Sequence, residues 1–201
     1  MKSMLQFRRD CTAFFQALAE DGQSPLVFGD GLENRPVLML IGEAPGEQES
    51  MLGRPFVGKA GKNLARFLET LELRREEIYI SNVVKFRPTK AGVSGRRVNR
   101  PPTREERELF TPWLMKEIAI VQPKVLVTLG NVPLKALTNP KITIGDCHGT
   151  WMESKADVPL YALYHPASII YRRALAPVYE QDVLRLSERL RGENGIPKIN
   201  K

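Results

Sequence analysis

A short apolar run at residues 37–41 (Val-Leu-Met-Leu-Ile) places the strongest constraint on the fold of this chain. A wholly apolar run of this length is typical of a β-strand that is buried on both faces. The run ends in a loop of glycine and proline, residues 42–46, which carries one carboxylate, Glu43. Three more segments have strand-like character, namely residues 78–84, 125–129 and 160–164. The sequence therefore predicts four strands that share one sheet.

Segments with helical periodicity lie around these strands, at residues 4–18, 60–72, 103–121 and 178–191. Strands that alternate with helices favour βαβ units and a mostly parallel sheet that is covered on both faces. A chain of 201 residues with 42% hydrophobic residues suits one such domain over residues 1–201.

Four residues that can shape a site follow or end the four predicted strands: Glu43, Asn82, Gly130 and His165. In parallel sheets, ligands bind beyond the carboxyl ends of the strands. These residues come from distant parts of the chain. Because each lies at the carboxyl end of a strand in a mostly parallel sheet, we expect them to converge on one edge of that sheet.

A glycine-rich segment, residues 53–61, holds the aromatic residue Phe56. The segment matches most of the phosphate-loop pattern, but Ala60 stands where that motif needs Ser or Thr. A nucleoside triphosphatase is therefore not favoured. We interpret Phe56 as a stacking platform for a flat ring, with a core position as the alternative. The amide of Asn82 can meet the edge of a base, or can cap local backbone.

The chain is basic, with a formal net charge of +7 and an isoelectric point near 9.5. A charge of this sign indicates a polyanionic partner, although a merely solvated basic surface is the alternative. Basic residues cluster in residues 85–107, and residues 85–102 also hold three prolines and two glycines, which predicts a surface loop. Residues 168–173 combine apolar and basic side chains, a pattern that suits insertion into a DNA groove.

Two cysteines, Cys11 and Cys147, are too few for a disulfide framework or a four-cysteine metal site. The charged N-terminus is unlike a signal peptide, and no apolar run approaches the length of a membrane span. We expect a soluble, cytoplasmic monomer with no membrane partner.

The segments Gly-Glu-Ala-Pro-Gly (42–46), Gly-Arg-Pro-Phe-Val-Gly-Lys-Ala-Gly (53–61) and His-Pro-Ala (165–167) resemble motifs of the uracil-DNA glycosylase superfamily, most closely its family 4. The resemblance extends from about residue 11 to about residue 190. It implies a three-layer α/β/α sandwich with a central four-stranded, mostly parallel sheet. It also implies excision of uracil from DNA, single- or double-stranded, by hydrolysis of the N-glycosidic bond of a flipped-out nucleotide. Two alternatives stay open: a glycosylase for hypoxanthine or xanthine, and an inactive nucleic-acid-binding protein of this fold.

The resemblance assigns roles to individual residues. His165 would donate a hydrogen bond to the leaving base, and Glu43 lies in the water-activating loop; these two are the expected catalytic residues. The expected substrate-binding residues are Phe56, Asn82, Glu49 and Ala44. The residues expected to contact DNA are Lys85, Arg87, Arg100, Ser168, Arg172 and Arg173.

Family-4 enzymes usually carry an iron–sulfur cluster on four cysteines. The matching positions here hold Cys11, Phe14, Phe86 and Phe110. One thiolate cannot hold such a cluster, so the sequence predicts that no cluster and no metal is bound. The three phenylalanine rings would fill the volume that the cluster occupies in family-4 enzymes.

Overall fold

The central element of the fold is a six-stranded sheet. The structure is a computed structural model, and it describes residues 3–18, 25–93 and 95–192. In spatial order its strands are β1 (Asp30–Gly31), β3 (Tyr79–Asn82), β2 (Leu38–Gly42), β6 (Val125–Leu129), β8 (Pro159–Leu163) and β7 (Trp151–Glu153). The four inner strands are parallel, and both edge strands are antiparallel to their neighbours. The four predicted strands are confirmed, and the two short edge strands were not predicted. Residues 1–2, 19–24, 94 and 193–201 of the predicted single domain lie outside the described residues.

Helices cover both faces of this sheet. They are α1 (Met4–Leu18), α2 (Glu47–Leu52), α3 (Lys59–Leu71), α4 (Arg104–Val121), α5 (Asn131–Leu137), α6 (Ile144–Cys147), α7 (Pro166–Tyr171) and α8 (Ala176–Arg191). Successive residues of a strand point to opposite faces, so Met39 and Ile41 pack with α1, α4 and α5, whereas Leu38 and Leu40 pack with α3 and α8. The predicted three-layer α/β/α sandwich is therefore confirmed.

The carboxyl ends of β2, β3, β6 and β8 meet at one edge of the sheet because these strands are parallel. Glu43 directly follows β2, Asn82 ends β3, Gly130 follows β6 and His165 lies just beyond β8. The predicted convergence of the four strand ends is correct.

The basic segment at residues 85–102 is not wholly a loop. It contains an antiparallel hairpin of β4 (Thr89–Ala91) and β5 (Arg97–Asn99), in which Lys90 pairs with Val98. The prolines lie outside both strands, so they do not interrupt the pairing. Across the described part of the chain, no helix is long and apolar enough to cross a membrane.

Candidate active site

A cavity of about 230 Å³ opens at the carboxyl edge of the sheet. Its lining residues are Ala44, Gly46, Glu49, Phe56, Lys59, Ala60, Asn82, Asn99 and His165. The structure thus brings together all four of the predicted substrate-binding residues and one of the two predicted catalytic residues. The volume equals that of roughly eight water molecules, which is enough to admit a nucleobase.

The aromatic wall of the cavity is Phe56, whose ring centre lies 5.9 Å from that of His165 at an interplanar angle of 29°. The backbone of Phe56 has a φ of 52°, which bulky residues rarely adopt. Arg75 holds this conformation by donating to the carbonyl oxygens of Pro55, at 2.6 Å, and Phe56, at 3.3 Å. Gly61 is required beneath it, because a Cβ there would collide with the Phe56 carbonyl oxygen.

Gly42, at the end of β2, leaves the space in which two cavity side chains meet. A Cβ on Gly42 would collide with Oδ1 of Asn82 and would lie 2.7 Å from Cζ of Phe56. Any larger residue at position 42 would therefore displace the amide and the ring together.

A buried ion pair anchors the strand end that carries Asn82. Nζ of Lys85 lies 2.5 Å from Oε2 of Glu117, and both side chains are fully buried. The same ammonium donates to Oγ of Ser81 and to the backbone oxygen of Asn82, each at 2.7 Å. The hydroxyl of Tyr79 donates to the other carboxylate oxygen of Glu117 at 2.9 Å. These contacts fix the backbone of β3, and the ladder pairing of β3 with β2 continues that support to Gly42.

The prediction that Lys85 contacts DNA is wrong. Its ammonium lies beneath the sheet edge with all three protons directed to internal acceptors, so phosphate cannot reach it. A local pattern of basic residues could not reveal this, because the partner, Glu117, is 32 residues away.

His165 is held as a neutral hydrogen-bond donor. The amide of Ala167 donates to Nδ1 of His165 at 3.1 Å, which leaves the ring proton on Nε2. Burial lowers the pKa of His165 to about 4, and the nearby carboxylate of Glu49 opposes this shift only in part. The amide of Asn63 donates to the carbonyl of Pro166 at 3.0 Å and fixes the start of α7.

Glu49 shapes the cavity as well as lining it. One oxygen of its buried carboxylate accepts from the backbone amides of Val57, at 3.1 Å, and Gly58, at 2.8 Å. These bonds tie α2 to the loop that presents Phe56. The role predicted for Glu49, exclusion of the methyl group of thymine, stays a prediction.

Glu43 lies at the sheet edge but is not among the described residues that line the cavity. Burial raises the pKa of its carboxyl group, and the positive charge of Arg107 opposes that shift. The predicted catalytic role of Glu43 therefore stays a prediction, since Glu43 does not line the cavity beside His165.

Two predicted DNA-binding arginines also make structural contacts. Arg87 donates to Oδ1 of Asn99 at 2.6 Å and pairs with Glu47 at 3.2 Å. Arg100 makes a two-pronged ion pair with Glu106, at 2.7 and 2.5 Å, which joins the base of the hairpin to α4. These contacts brace the hairpin, and the expected contacts of Arg87 and Arg100 with DNA stay a prediction.

The other predicted DNA contacts lie on α7 and the turn that follows it. Ser168 is half-buried, whereas Arg172 and Arg173 are exposed beside Tyr171, whose exposed fraction is 83%. Ile169 packs against the core instead of projecting. Among the side chains that the structure describes in this segment, Tyr171 is the exposed apolar group that is available for insertion into DNA.

The residues at the cluster-ligand positions do not fit an iron–sulfur cluster. Phe110 stacks on Phe15 with ring centres 3.8 Å apart, and Phe86 lies 5.6 Å from Phe110. Burial raises the pKa of the Cys11 thiol to about 12, and this single thiol cannot supply the four ligands that a cluster needs. Over the described ranges, no group of three or more His, Cys, Asp or Glu side chains could hold a metal ion.

One detail of the predicted aromatic filling is wrong. Phe14 has an exposed fraction of 40% and lies against Trp113 at the surface, whereas its neighbour Phe15 is buried. Phe15 therefore takes the place that was predicted for Phe14.

Sequence reasoning missed three residues that shape the site: Lys59, Arg75 and Asn99. Lys59 was visible only as part of an incomplete phosphate-loop pattern. Arg75 lies in a 3-10 turn (Arg75–Glu77) and acts through backbone carbonyls, which leave no mark in the sequence. Asn99 lines the cavity only because the unpredicted hairpin brings it there.

Comparisons with known proteins show the family of this chain. The chain matches the family model of the uracil DNA glycosylase superfamily over residues 28–186. It is 37% identical to a type-4 uracil-DNA glycosylase of Archaeoglobus fulgidus over 158 residues, 75% of each chain. A type-4 uracil-DNA glycosylase of Thermotoga maritima is 36% identical over 154 residues, 74% of this chain and 73% of the relative. The crystal structure of wild-type SMUG2 of Pedobacter heparinus shares the fold, with a TM-score of 0.54 and 14% identity over 80% of this chain and 77% of that one. Because the family model spans well over half of its length, this chain belongs to the uracil-DNA glycosylase superfamily.

Proposed function

We propose that this protein is a monofunctional DNA glycosylase that excises uracil and leaves an abasic site. The observation that carries the proposal is the meeting of Phe56, Asn82 and His165 in one cavity of about 230 Å³. A ring platform, an amide and a neutral imidazole are the three groups needed to stack, read and polarise a flat polar base. The type-4 relatives support uracil as that base.

The base must leave the duplex or strand to enter this cavity, which costs a few kcal/mol in a paired site. Phe56 stacks on the flipped base, and the amide of Asn82 accepts from N3–H and donates to O4. The exposed ring of Tyr171 fills the space that the base vacates. Lys59, which lines the cavity, and Arg172 and Arg173, which follow α7, are exposed and bind the flanking phosphates.

Bond cleavage places negative charge on the base and positive charge on the sugar. The C1′–N1 electron pair moves to the base, and the Nε2–H of His165 donates to O2, where the negative charge accumulates. A neutral imidazole can perform this task, because Nδ1 accepts from the Ala167 amide and the remaining ring proton on Nε2 is free to donate to O2. A water then bonds to C1′ through its oxygen, and its released proton balances the anionic base. Glu43 orients this water or stabilises the cationic sugar, provided that its carboxyl group is ionised.

Release of the base from an oligonucleotide tests the function. Strands that carry a single uracil, hypoxanthine or thymine are incubated with the enzyme, and abasic sites are then cleaved with alkali. We expect cleavage at uracil, because the amide of Asn82 can meet its edge and the type-4 relatives are uracil-DNA glycosylases. Faster cleavage at hypoxanthine would favour the purine-specific alternative. Binding of all strands with no abasic product would indicate an inactive binding protein.

We also propose that the enzyme works without an iron–sulfur cluster, since the stacked rings of Phe15 and Phe110 occupy the region of the matching positions. Protein purified without oxygen is expected to contain far less than one iron per chain and to be fully active. Iron and sulfide analysis measures this, with a family-4 enzyme prepared in parallel as the positive control. Stoichiometric iron that is lost together with activity on chelation would contradict the proposal.

The enzyme is proposed to act as a monomer. Its two cysteines are free thiols. This state suits the reducing cytoplasm, which is the proposed location.

A further inference from the structure

A second and larger concavity, of about 670 Å³, runs between α4 and α5 on the side of the domain. We call it the side groove. Four cations line it, namely Arg104, Arg107, Lys135 and Lys155, around a floor that includes Pro112 and Val132. One acid, Glu108, lies at its rim and pairs with Arg104 at 2.7 Å. The groove therefore keeps a clear excess of positive charge.

The side groove begins beside the active site. Val132 lies two residues after Gly130, whose Cα faces His165 so closely that an added Cβ would lie 3.3 Å from the histidine Cβ. Arg107 is near enough to Glu43 for its charge to lower the pKa of that carboxyl group. Lys155 marks the far end of the groove. It lies on the turn between β7 and β8, at the amino end of β8, whereas the active site lies at the carboxyl ends of the parallel strands.

From this charge and position we infer that the side groove binds the phosphodiester backbone of one unpaired DNA strand flanking the flipped nucleotide. The inference rests on the proposed glycosylase function for the identity of the strand. A concavity of about 670 Å³ holds roughly one or two nucleotides. The cations meet the phosphates, and the apolar floor contacts sugars and bases. The enzyme therefore gains affinity from a single-stranded flank.

The test compares the wild type with the double variant Lys135→Ala/Lys155→Ala on single-stranded uracil substrates of two lengths. The long substrate has flanks on both sides of uracil, and the short one has a single nucleotide on each side. We expect the double variant to raise KM about tenfold on the long substrate only and to leave kcat unchanged on both. The slope of log KM against log salt should fall by about 1.4, for two contacts at 0.7 each. Substrates extended on only the 5′ or the 3′ side should show the loss for one side alone.

The matched control is Lys124→Ala, which removes an exposed lysine at the amino end of β6, away from the groove. Equal KM for wild type and double variant on the long substrate would overturn the inference. So would an equal loss on the short substrate or in Lys124→Ala, because a general charge effect would then suffice. Fluorescence anisotropy with uncleaved oligonucleotides gives the same comparison without catalysis. If the wild type released no uracil, the proposed function would fail, while this binding comparison would still decide the role of the groove.

Discussion

Replacement of Glu117 by alanine is expected to lower the free energy of unfolding by about 3–5 kcal/mol, because it leaves the ammonium of Lys85 buried without its counter-charge. The hydroxyls of Tyr79 and Ser81 lose their acceptor in the same step. Urea denaturation followed by circular dichroism measures the change. The loss should appear as a lower midpoint with a similar slope.

Two comparisons keep this prediction specific. Glu108→Ala removes an exposed carboxylate of the same helix, which pairs with Arg104 near the surface, and is expected to leave the midpoint nearly unchanged. The double variant Lys85→Met/Glu117→Leu removes both charges and should recover much of the lost stability. If Glu117→Ala unfolded at the same urea concentration as Glu108→Ala, the ion pair would not be a structural anchor.

The variant His165→Ala is expected to lower kcat for uracil release by about 10²–10³, since it removes the donor that meets the charge developing on the base. Single-turnover cleavage of a uracil oligonucleotide measures the effect on the chemical step. His148→Gln is the matched control. His148 is the other histidine of the chain. It pairs with Asp182 at 2.7 Å and does not line the cavity. If His165→Ala cleaved as fast as the wild type, the imidazole would have no part in the reaction.

The pH profile distinguishes donation by a neutral imidazole from donation by an imidazolium ion. Because burial lowers the pKa of His165 to about 4, wild-type activity should not change through pH 6.5, where an exposed histidine titrates. Glu43, whose pKa burial raises, should set an acid limb that is lost in Glu43→Gln. The lowered pKa of His165 also makes the stability of the fold depend on pH. The unfolded chain protonates this imidazole near pH 6.5 and the folded chain only near 4, so the free energy of unfolding falls as pH drops through this interval. A rise in kcat below pH 6.5 would instead indicate that imidazolium is the active form.

Local patterns were sufficient to predict most of the central fold. The run at residues 37–41 is wholly apolar, and the strand Val125–Leu129 is apolar except for Thr128. Runs of this length between turn signals favour a buried strand over a helix. Thr103 is the N-cap of α4, as its capping-box sequence predicts, and both reciprocal bonds with Glu106 are present. The edge strands β1 and β7 are two and three residues long, too short for any periodicity to appear.

The cavity was predictable in outline because parallel strands bring their ends to one edge, which fixes where Asn82 and His165 must lie. Long-range contacts were not predictable in the same way. The burial of Lys85 depends on a glutamate that the fold supplies from α4. The position of Asn99 depends on a hairpin formed within a segment rich in proline and basic residues. Such contacts arise from tertiary packing, and no window of sequence contains both partners.

The inverted backbone of Phe56 sets stability and catalysis against each other at a single residue. A conformation of this kind costs on the order of 1–3 kcal/mol for a bulky side chain, and glycine would adopt it with little penalty. Selection for heat resistance alone would therefore favour loss of the ring that receives the base. The domain nevertheless keeps Phe56, and Arg75 holds its backbone in place. The fold is therefore less stable than it could be, because this residue is kept in the conformation that binds substrate.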